Sequence, residues 1–500
     1  MNTLPPLKRI AVISLSNLSR DPRVWRQIKY LVESGYSVTA AGFDDPHISG
    51  VEFIQMKYIE NSKKTLEVKN SSSGGSVVFA LPERFKKIVR TLIPSKKVRE
   101  IFWPLYRIII KSLKYSYKKV RTFNRKLKAL YRKIHSIEIN NRKQIALINK
   151  KNVMYLKGLR GRSAGLWNVI VGARRRPIKN IWQNIKFSFM ESDYLLDKKV
   201  SQGIPALQQK EFDLIIANDF SALSVAFAVK GSAKLIYDAH EYTLGQYDTT
   251  EWREKRLPYI RYILDKYLPG VDGMMTVCEG IAKEYEKEYS VKTVVVTNAP
   301  EYWEELKPSS SQTGKIRLVH HGVAHKSRSI EEMIDTVGLL DERFSLDFYL
   351  VGKNDEYHRG LRERGAKVGR VIFHDPVPMK ELPRVLNEYD VGFYILNPVS
   401  FNALHALPNK FFEFVQARLM IAIGPSPEMA VYVEKYGLGV VAEDFTPTAM
   451  AARLKVLDKN QIDIFKRNVD INARQLSAEP QMRKMNMLVN TCLNDRGKDE

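Results

Sequence analysis

The sequence predicts an α/β chain with two domains, each built on a parallel sheet, and three observations carry that prediction. Residues 8–43 read strand, loop, helix, strand. Short apolar runs rich in Val and Ile then alternate with helical intervals between Phe212 and Thr297. A second series of the same kind begins at Lys315 and reaches Gly439-Val-Val441. Strands buried on both faces of a parallel sheet are continuously apolar, and each parallel pair needs a crossover that is usually a helix. Five hundred residues also exceed what one core accommodates. The expected architecture is therefore two Rossmann-like domains, with ligands bound between them at the carboxyl ends of the strands.

In the first domain Arg9-Ile-Ala-Val-Ile-Ser-Leu15 is a strand, and Asp21-Pro22 starts a helix with Asp as the cap and Pro at the first position. Val24, Ile28, Leu31 and Val32 keep helical spacing, Gly35 ends the helix, and Tyr36 to Gly42 is the next strand. No G-x-G-x-x-G turn follows the first strand, which argues against a nicotinamide or flavin site. Phe212–Asn218, Ala233–Asp238, Gly273–Val277 and Lys292–Thr297 are the further strands. The stretch 301–314, ending Pro-Ser-Ser-Ser-Gln-Thr-Gly, is a linker. In the second domain the strands are Lys315–Gly322, Ser345–Gly352, Val371–His374, Val391–Ile395, Leu419–Gly424 and Gly439–Val441. The domains are thus 1–300, 315–465 and a polar helical tail over 466–500.

Between about 60 and 205 this pattern breaks. Residues 81–190 hold 30 of the chain's 80 Lys and Arg but only 3 of its 55 acids, Glu83, Glu100 and Glu138. The whole net charge of +25 therefore belongs to one basic, mostly helical insertion, preceded by the flexible Asn70-Ser-Ser-Ser-Gly-Gly-Ser76. Cys278 and Cys492 are the only cysteines, so Cys-built metal clusters are excluded, and reduced thiols in a cytoplasmic setting are expected. The N-terminal apolar run is too short for a signal segment, and none elsewhere reaches the ~18 residues of a membrane span.

The chemistry concentrates at Leu407-Pro-Asn-Lys-Phe-Phe-Glu413. A helix beginning at Asn409 presents unpaired N–H groups and partial positive charge, which attract phosphate. Lys410 adds a full charge there, and Glu413 can accept from a pair of sugar hydroxyls. Together these residues describe a nucleotide-sugar site. His240 and Glu241 follow the strand ending at Asp238, and Asp219 follows Asn218; such strand-end groups face a cleft, although Asp219 serves equally as a helix cap. The chain holds no D-x-D triplet, the paired carboxylates with which many such sites hold a divalent cation, so no metal or other cofactor is expected.

Five segments in this order resemble the GT-B glycosyltransferases, specifically the retaining family-4 type: Asp21-Pro-Arg-Val24, Tyr237-Asp-Ala-His-Glu241, Thr297-Asn-Ala-Pro300, His321-Gly-Val-Ala-His-Lys-Ser-Arg328 and Pro408-Asn-Lys-Phe-Phe-Glu413. The resemblance covers 8–45 and 210–440. It implies that His240 lies beside the transferred sugar, with Glu241 orienting its ring. Gly322 and Arg328 would hold the donor diphosphate, with Lys326 compensating for the cation that Val323 replaces. The backbone near Ile372 and Phe373 would hold the base, Glu413 the ribose, and Asn409 and Lys410 the phosphate and sugar. The first acid of the family's E-x7-E pattern falls on His405. Asp21 and Arg23 would face the acceptor.

The expected function is a retaining transfer of a sugar from a nucleotide-sugar donor to a membrane-associated glycan, either lipid-linked or lipopolysaccharide. The basic segment, with its Ile101-Phe-Trp-Pro-Leu-Tyr106, suits an anionic membrane surface and places the chain peripherally on the inner face of the cell membrane. No nucleic-acid module is recognisable. The alternatives are a GT-B-like sugar-nucleotide epimerase and a non-catalytic scaffold binding membrane or nucleic acid.

Overall fold

The computed structural model describes residues 7–56, 203–310, 314–352 and 356–494, with the helical positions 183–184, 187–188, 190–191 and 194–195. The hinge at 70–76 and the basic segment, except the last of its residues, lie outside the described residues.

The described chain forms two all-parallel sheets. The first holds β1 (Arg9–Ser14), β2 (Ser37–Gly42), β3 (Val51–Gln55), β4 (Leu214–Asn218), β5 (Lys234–Ala239), β6 (Gly273–Thr276) and β7 (Thr293–Val295), in the order β3-β2-β1-β4-β5-β6-β7. The second holds β8 (Ile316–Val323), β9 (Phe344–Val351), β10 (Val371–His374), β11 (Val391–Tyr394), β12 (Met420–Ile423) and β13 (Gly439–Val441), in the order β10-β9-β8-β11-β12-β13. This is the two-domain α/β plan read from the sequence, with one strand added. β3 is an edge strand with a single buried residue, so it lacks the continuous apolar run that marks its neighbours.

Register sets the strand ends side by side. Ser14 pairs with Asn218 and Asn218 with Asp238, so the residues just past them share one rim. In the second sheet His321 pairs with Tyr349, and Tyr349 with His374. The first helix, Pro22–Glu33, is capped as expected: the Asp21 side chain accepts from the Val24 N–H, and Pro22 takes the first position.

The chain resumes at Gly203, packed so closely on the end of β3 that an added Cβ would lie 2.4 Å from the Met56 sulfur. Just before it, the buried Glu191 accepts from Ser224 and Lys266 at 2.9 and 2.6 Å, tying this stretch to the first lobe.

The C-terminal region departs from a simple tail. The Lys459–Ala473 helix runs through residue 465, starts on a capping box at Asp458, and packs on the second lobe. The last helix, Ala478–Asn494, crosses to the first sheet, where Met482, Met485, Val489 and Cys492 join the core around Ile10, Val12, Ile216 and Ile236. Its apolar residues recur at helical spacing, but only the folded chain supplies their partner. No helix among the described residues is long and apolar enough to cross a membrane.

Candidate functional site

On the second lobe the site is built where β8 meets the Asn409–Gln416 helix. Gly322 has φ +125°, a conformation side chains rarely adopt, and a Cβ there would stand 3.2 Å from Lys410 Nζ. The Lys410 amine therefore lies directly against the Gly322 backbone. It sits 4.4 Å above the Tyr394 ring and 3.1 Å from His320 Nε2, whose other nitrogen is 2.9 Å from the Phe393 carbonyl. Lys410 is buried without a carboxylate in contact; burial and the nearby Arg328 pull its pKa down to about 7, against the attraction of Glu413.

Glu413, one helical turn on, is also buried. Burial pushes its carboxyl up to about 7, opposed by Lys410 and by Arg26 of the first lobe. His321 Nε2 stands 3.3 Å from Glu413 Oε2 but off the hydrogen-bonding direction, so that buried nitrogen has no hydrogen-bond partner. Burial and Lys410 hold His321 neutral, with its pKa near 3. The single turn Lys326–Arg328 follows β8 on the surface, and the Arg328 charge reaches Lys410, Tyr394 and Glu241. Lys326 is exposed, and Asn409 is half-buried at the helix start.

On the first lobe the strand ends carry a different arrangement. Asp238 is fully buried and takes a two-pronged bond from Arg23, Nε to Oδ2 at 2.8 Å and Nη2 to Oδ1 at 2.7 Å, plus Gln27. Arg23 also donates to the Val296 carbonyl at 2.6 Å. Burial opposes the charge, yet Arg23 and His240 hold the Asp238 carboxyl well below its usual range. His240 places Nε2 3.0 Å from Asn218 Oδ1 and 3.5 Å from Asp238 Oδ2, and Nδ1 3.3 Å from Asp219 Oδ2. Burial alone would lower its pKa; Asp219 and Asp238 together raise it to about 9, so the ring is an imidazolium at neutral pH. Asp219 has φ +62° and both starts the Asp219–Val229 helix and braces His240.

Two expectations need correction. Arg23 does not face an acceptor: it is 2% exposed and committed to Asp238 and Val296. Glu241 does not orient the His240 ring: it is exposed and accepts from Asn402 Nδ2 at 3.3 Å, while Asn218, Asp219 and Asp238 hold the ring. Asp21 is spent on its helix cap and on Ser16 Oγ. Ile372 is half-exposed on the edge strand β10, two strands from β8, while Phe373 stacks on Phe348 in the core. Gly322, Arg328, Lys410 and Glu413 thus converge, with Glu241 of the first lobe within reach of the Arg328 charge.

Arg26 was missed by sequence reasoning. It lies one turn beyond Arg23, bonds Asn298, and is the first-lobe cation that bears on Glu413. Its position three residues after Arg23 was the available signal. Position 405 holds a histidine whose Nδ1 is 2.8 Å from Glu428 Oε1, and the same oxygen accepts from the Gly280 N–H at 2.8 Å. With Tyr242 and Asn402, whose backbone and side chain bond at 3.0 Å, this contact ties the two lobes together. Beside the junction, the first lobe holds a cavity of about 290 Å³ lined by Asp219, Phe220, Ser221, His240, Glu241, Thr243 and Gln246.

No family model matches the chain, and no curated protein matches it in sequence. Solved structures do match in fold. Sucrose-phosphate synthase from Thermosynechococcus elongatus is 12% identical over 97% of this chain and 98% of that chain, with a TM-score of 0.53. A glycosyltransferase from Rickettsia africae ESF-5 is 10% identical over 98% and 99%, with a TM-score of 0.52. TarM of S. aureus is 12% identical, with a TM-score of 0.47, and this chain spans 59% of its length. The pair of parallel sheets and these full-length likenesses make the fold that of the GT-B glycosyltransferases, two Rossmann-like lobes.

Proposed function

We propose that this protein is a retaining glycosyltransferase of family-4 type, moving a sugar from a nucleotide-sugar donor to a glycan acceptor at a membrane. The observation that carries the reading is the convergence of Gly322, Lys410, Arg328 and Glu413 at one strand end and one helix start, with cations but no bonded counter-ion for Lys410. A diphosphate supplies that counter-ion. Arg328 grips phosphate oxygens in a fork, and Lys410 and the helix amides take the remainder. The exposed Val323 leaves a gap in the family's cation pair, and the Lys410 amine, lying against Gly322, fills it. Lys326 adds surface charge, Glu413 accepts from the ribose hydroxyls, and Ile372 and Phe373 offer strand-end backbone to the base.

In the reaction the bond from the sugar's anomeric carbon to the diphosphate oxygen breaks, and the acceptor hydroxyl bonds that carbon on the same face. The acceptor's proton passes to the departing phosphate oxygen. Arg328, Lys410 and the helix dipole stabilise charge where it develops, with no divalent ion assigned a part. The His240 imidazolium acts through its field, since both nitrogens are already engaged. Its carboxylate brace keeps it charged.

The acceptor's membrane setting, as a lipid-linked glycan or lipopolysaccharide, rests on the basic segment 81–190. The charge of that segment supports a peripheral position on the inner face of the cell membrane.

The test is donor-dependent nucleotide release across a panel of UDP- and GDP-sugars. Glu413→Ala and Arg328→Ala should each lower it at least about tenfold, in line with lost charge-assisted bonds. Absence of release and of nucleotide binding across the panel would defeat the reading. In parallel, the full chain should sediment with phosphatidylserine vesicles and the chain lacking 81–190 should not; equal sedimentation defeats the membrane assignment alone.

A further inference from the structure

Next to the Lys410 amine lies His320, a fully buried histidine of β8. Its ring packs with those of Phe348 and Tyr394, at centroid distances of 5.8 and 5.5 Å. Its two nitrogens have unlike surroundings. Nδ1 is 2.9 Å from the Phe393 carbonyl oxygen, a group that can only accept, so Nδ1 holds the proton. Nε2 of the neutral ring then presents a lone pair. The group 3.1 Å from it is the Lys410 amine, which as an ammonium can only donate. Burial and the Lys410 charge hold the His320 pKa well below the ordinary histidine value, so the ring does not take a second proton that would repel the ammonium.

The surroundings of the amine make this bond consequential. Arg328 disfavours the Lys410 charge, Glu413 favours it without bonding it, and the neighbouring His321 is neutral. Tyr394 offers the face of its ring at 4.4 Å. Among the described residues, His320 Nε2 is the one side-chain acceptor bonded to Lys410 Nζ. The bond fixes where that nitrogen stands, directly against the Gly322 backbone. One of the three ammonium N–H groups is used in this way, and the others remain for a phosphate.

We propose that His320 is a positioning residue: its neutral ring, locked in one tautomer by the Phe393 carbonyl, accepts one Lys410 N–H and so holds the charged amine against Gly322 for the donor's diphosphate. The phosphate part rests on the glycosyltransferase reading; the direction of the His320–Lys410 bond does not.

Two substitutions in the full chain separate this role from a structural one. His320→Gln places an amide oxygen near the Nε2 position, keeping an acceptor for Lys410 and losing the bond to Phe393. His320→Asn places an amide N–H near the Nδ1 position, keeping the bond to Phe393 and losing Lys410. Calorimetric titration with UDP and GDP at pH ~6.5 should find the Gln chain within ~3-fold of wild type and the Asn chain ~10-fold weaker, as expected for one lost hydrogen bond to a charged group. In the Asn chain the fall of affinity with rising pH should also begin about one pH unit lower, since an ammonium without its acceptor releases its proton more easily. Equal affinities in the two chains, or the reverse order, overturn the proposal. So does an Asn chain whose pH profile matches that of wild type. If both variants unfold, nitrogen NMR of the wild-type chain with isotope-labelled histidine decides: a protonated Nδ1 with a bare Nε2 upholds the proposal, and a proton on Nε2 overturns it. A wild-type chain that binds neither UDP nor GDP sinks the donor reading and the phosphate role with it, while the tautomer still reports the direction of the His320–Lys410 bond.

Discussion

The two halves of the site hold their charges in opposite ways. On the first lobe the buried charges of the site, among the described residues, have partners: Asp238 with Arg23 and Gln27, His240 with Asp219, Asp238 and Asn218. On the second lobe Lys410 and Glu413 are buried with no hydrogen-bonded counter-ion, and His321 keeps a nitrogen unpartnered. The result is a reversal in proton affinity. His240 keeps a proton that free histidine would release, with its pKa at about 9, while Lys410 gives up a proton that free lysine would keep, with its pKa at about 7. A network that closes on itself positions groups, whereas one left open is stabilised by what binds to it.

Breaking the closed half should have the largest effect. Arg23→Ala strands the fully buried Asp238 carboxylate and should cost about 3–5 kcal/mol of stability in urea unfolding. A loss under about 1 kcal/mol, paired with weakened sugar or nucleotide binding, would place Arg23 among the ligand groups and erase the contrast.

The pH dependence of stability sharpens the comparison. The folded pKa of His240 is raised, so its contribution is complete below about pH 6.5 and is lost as pH climbs through about 9. Unfolding free energies of wild type and His240→Gln from urea titrations should therefore differ by on the order of 3 kcal/mol at pH 6 and converge near pH 10. An equal gap at both pH values would mean that the imidazolium is not what the carboxylates stabilise.

Lys410→Met tests the open half. Removing an unpaired buried amine should leave stability unchanged or higher, while UDP or GDP affinity falls by ~10–100-fold. In the wild-type chain that affinity should decline as pH rises above 7, because diphosphate binds the protonated amine, and the Met variant should lose this decline. Calorimetric titrations at pH 6.5 and 8.5 decide it; a pH-independent wild type would remove Lys410 from the phosphate site.

The smallest effect belongs to the junction. Glu428→Ala leaves the Gly280 N–H and His405 without their shared acceptor and should cost about 1–2 kcal/mol, read as a lowered melting temperature.

Much of the fold was legible because strands buried on both faces advertise themselves. Each apolar run read as a strand on either side of the linker lies in one of the two sheets, whereas the mostly exposed β3 carried too weak a pattern. The final helix showed its apolar stripe but not its destination, since a stripe specifies burial without naming the surface that provides it. The second-lobe cluster was legible because Lys410 and Glu413 share one helix and Gly322 and Arg328 one strand end, so local geometry brings each pair together. Arg23 was misread for the opposite reason. Its fate depends on Asp238, 215 positions away, and a cation at a helix start looks the same whether it meets solvent or a buried carboxylate.

What the amino-acid order determined by itself was periodic and local: two series of parallel strands, the Asp21-Pro22 helix start, the charged helix opening at Asn409, and the confinement of excess charge to 81–190. What only the tertiary structure decided was which charges are paired and which are left open, and where a carboxylate-lined cavity forms. Electrostatic energies depend on distance and burial, and both are set by contacts between segments hundreds of residues apart.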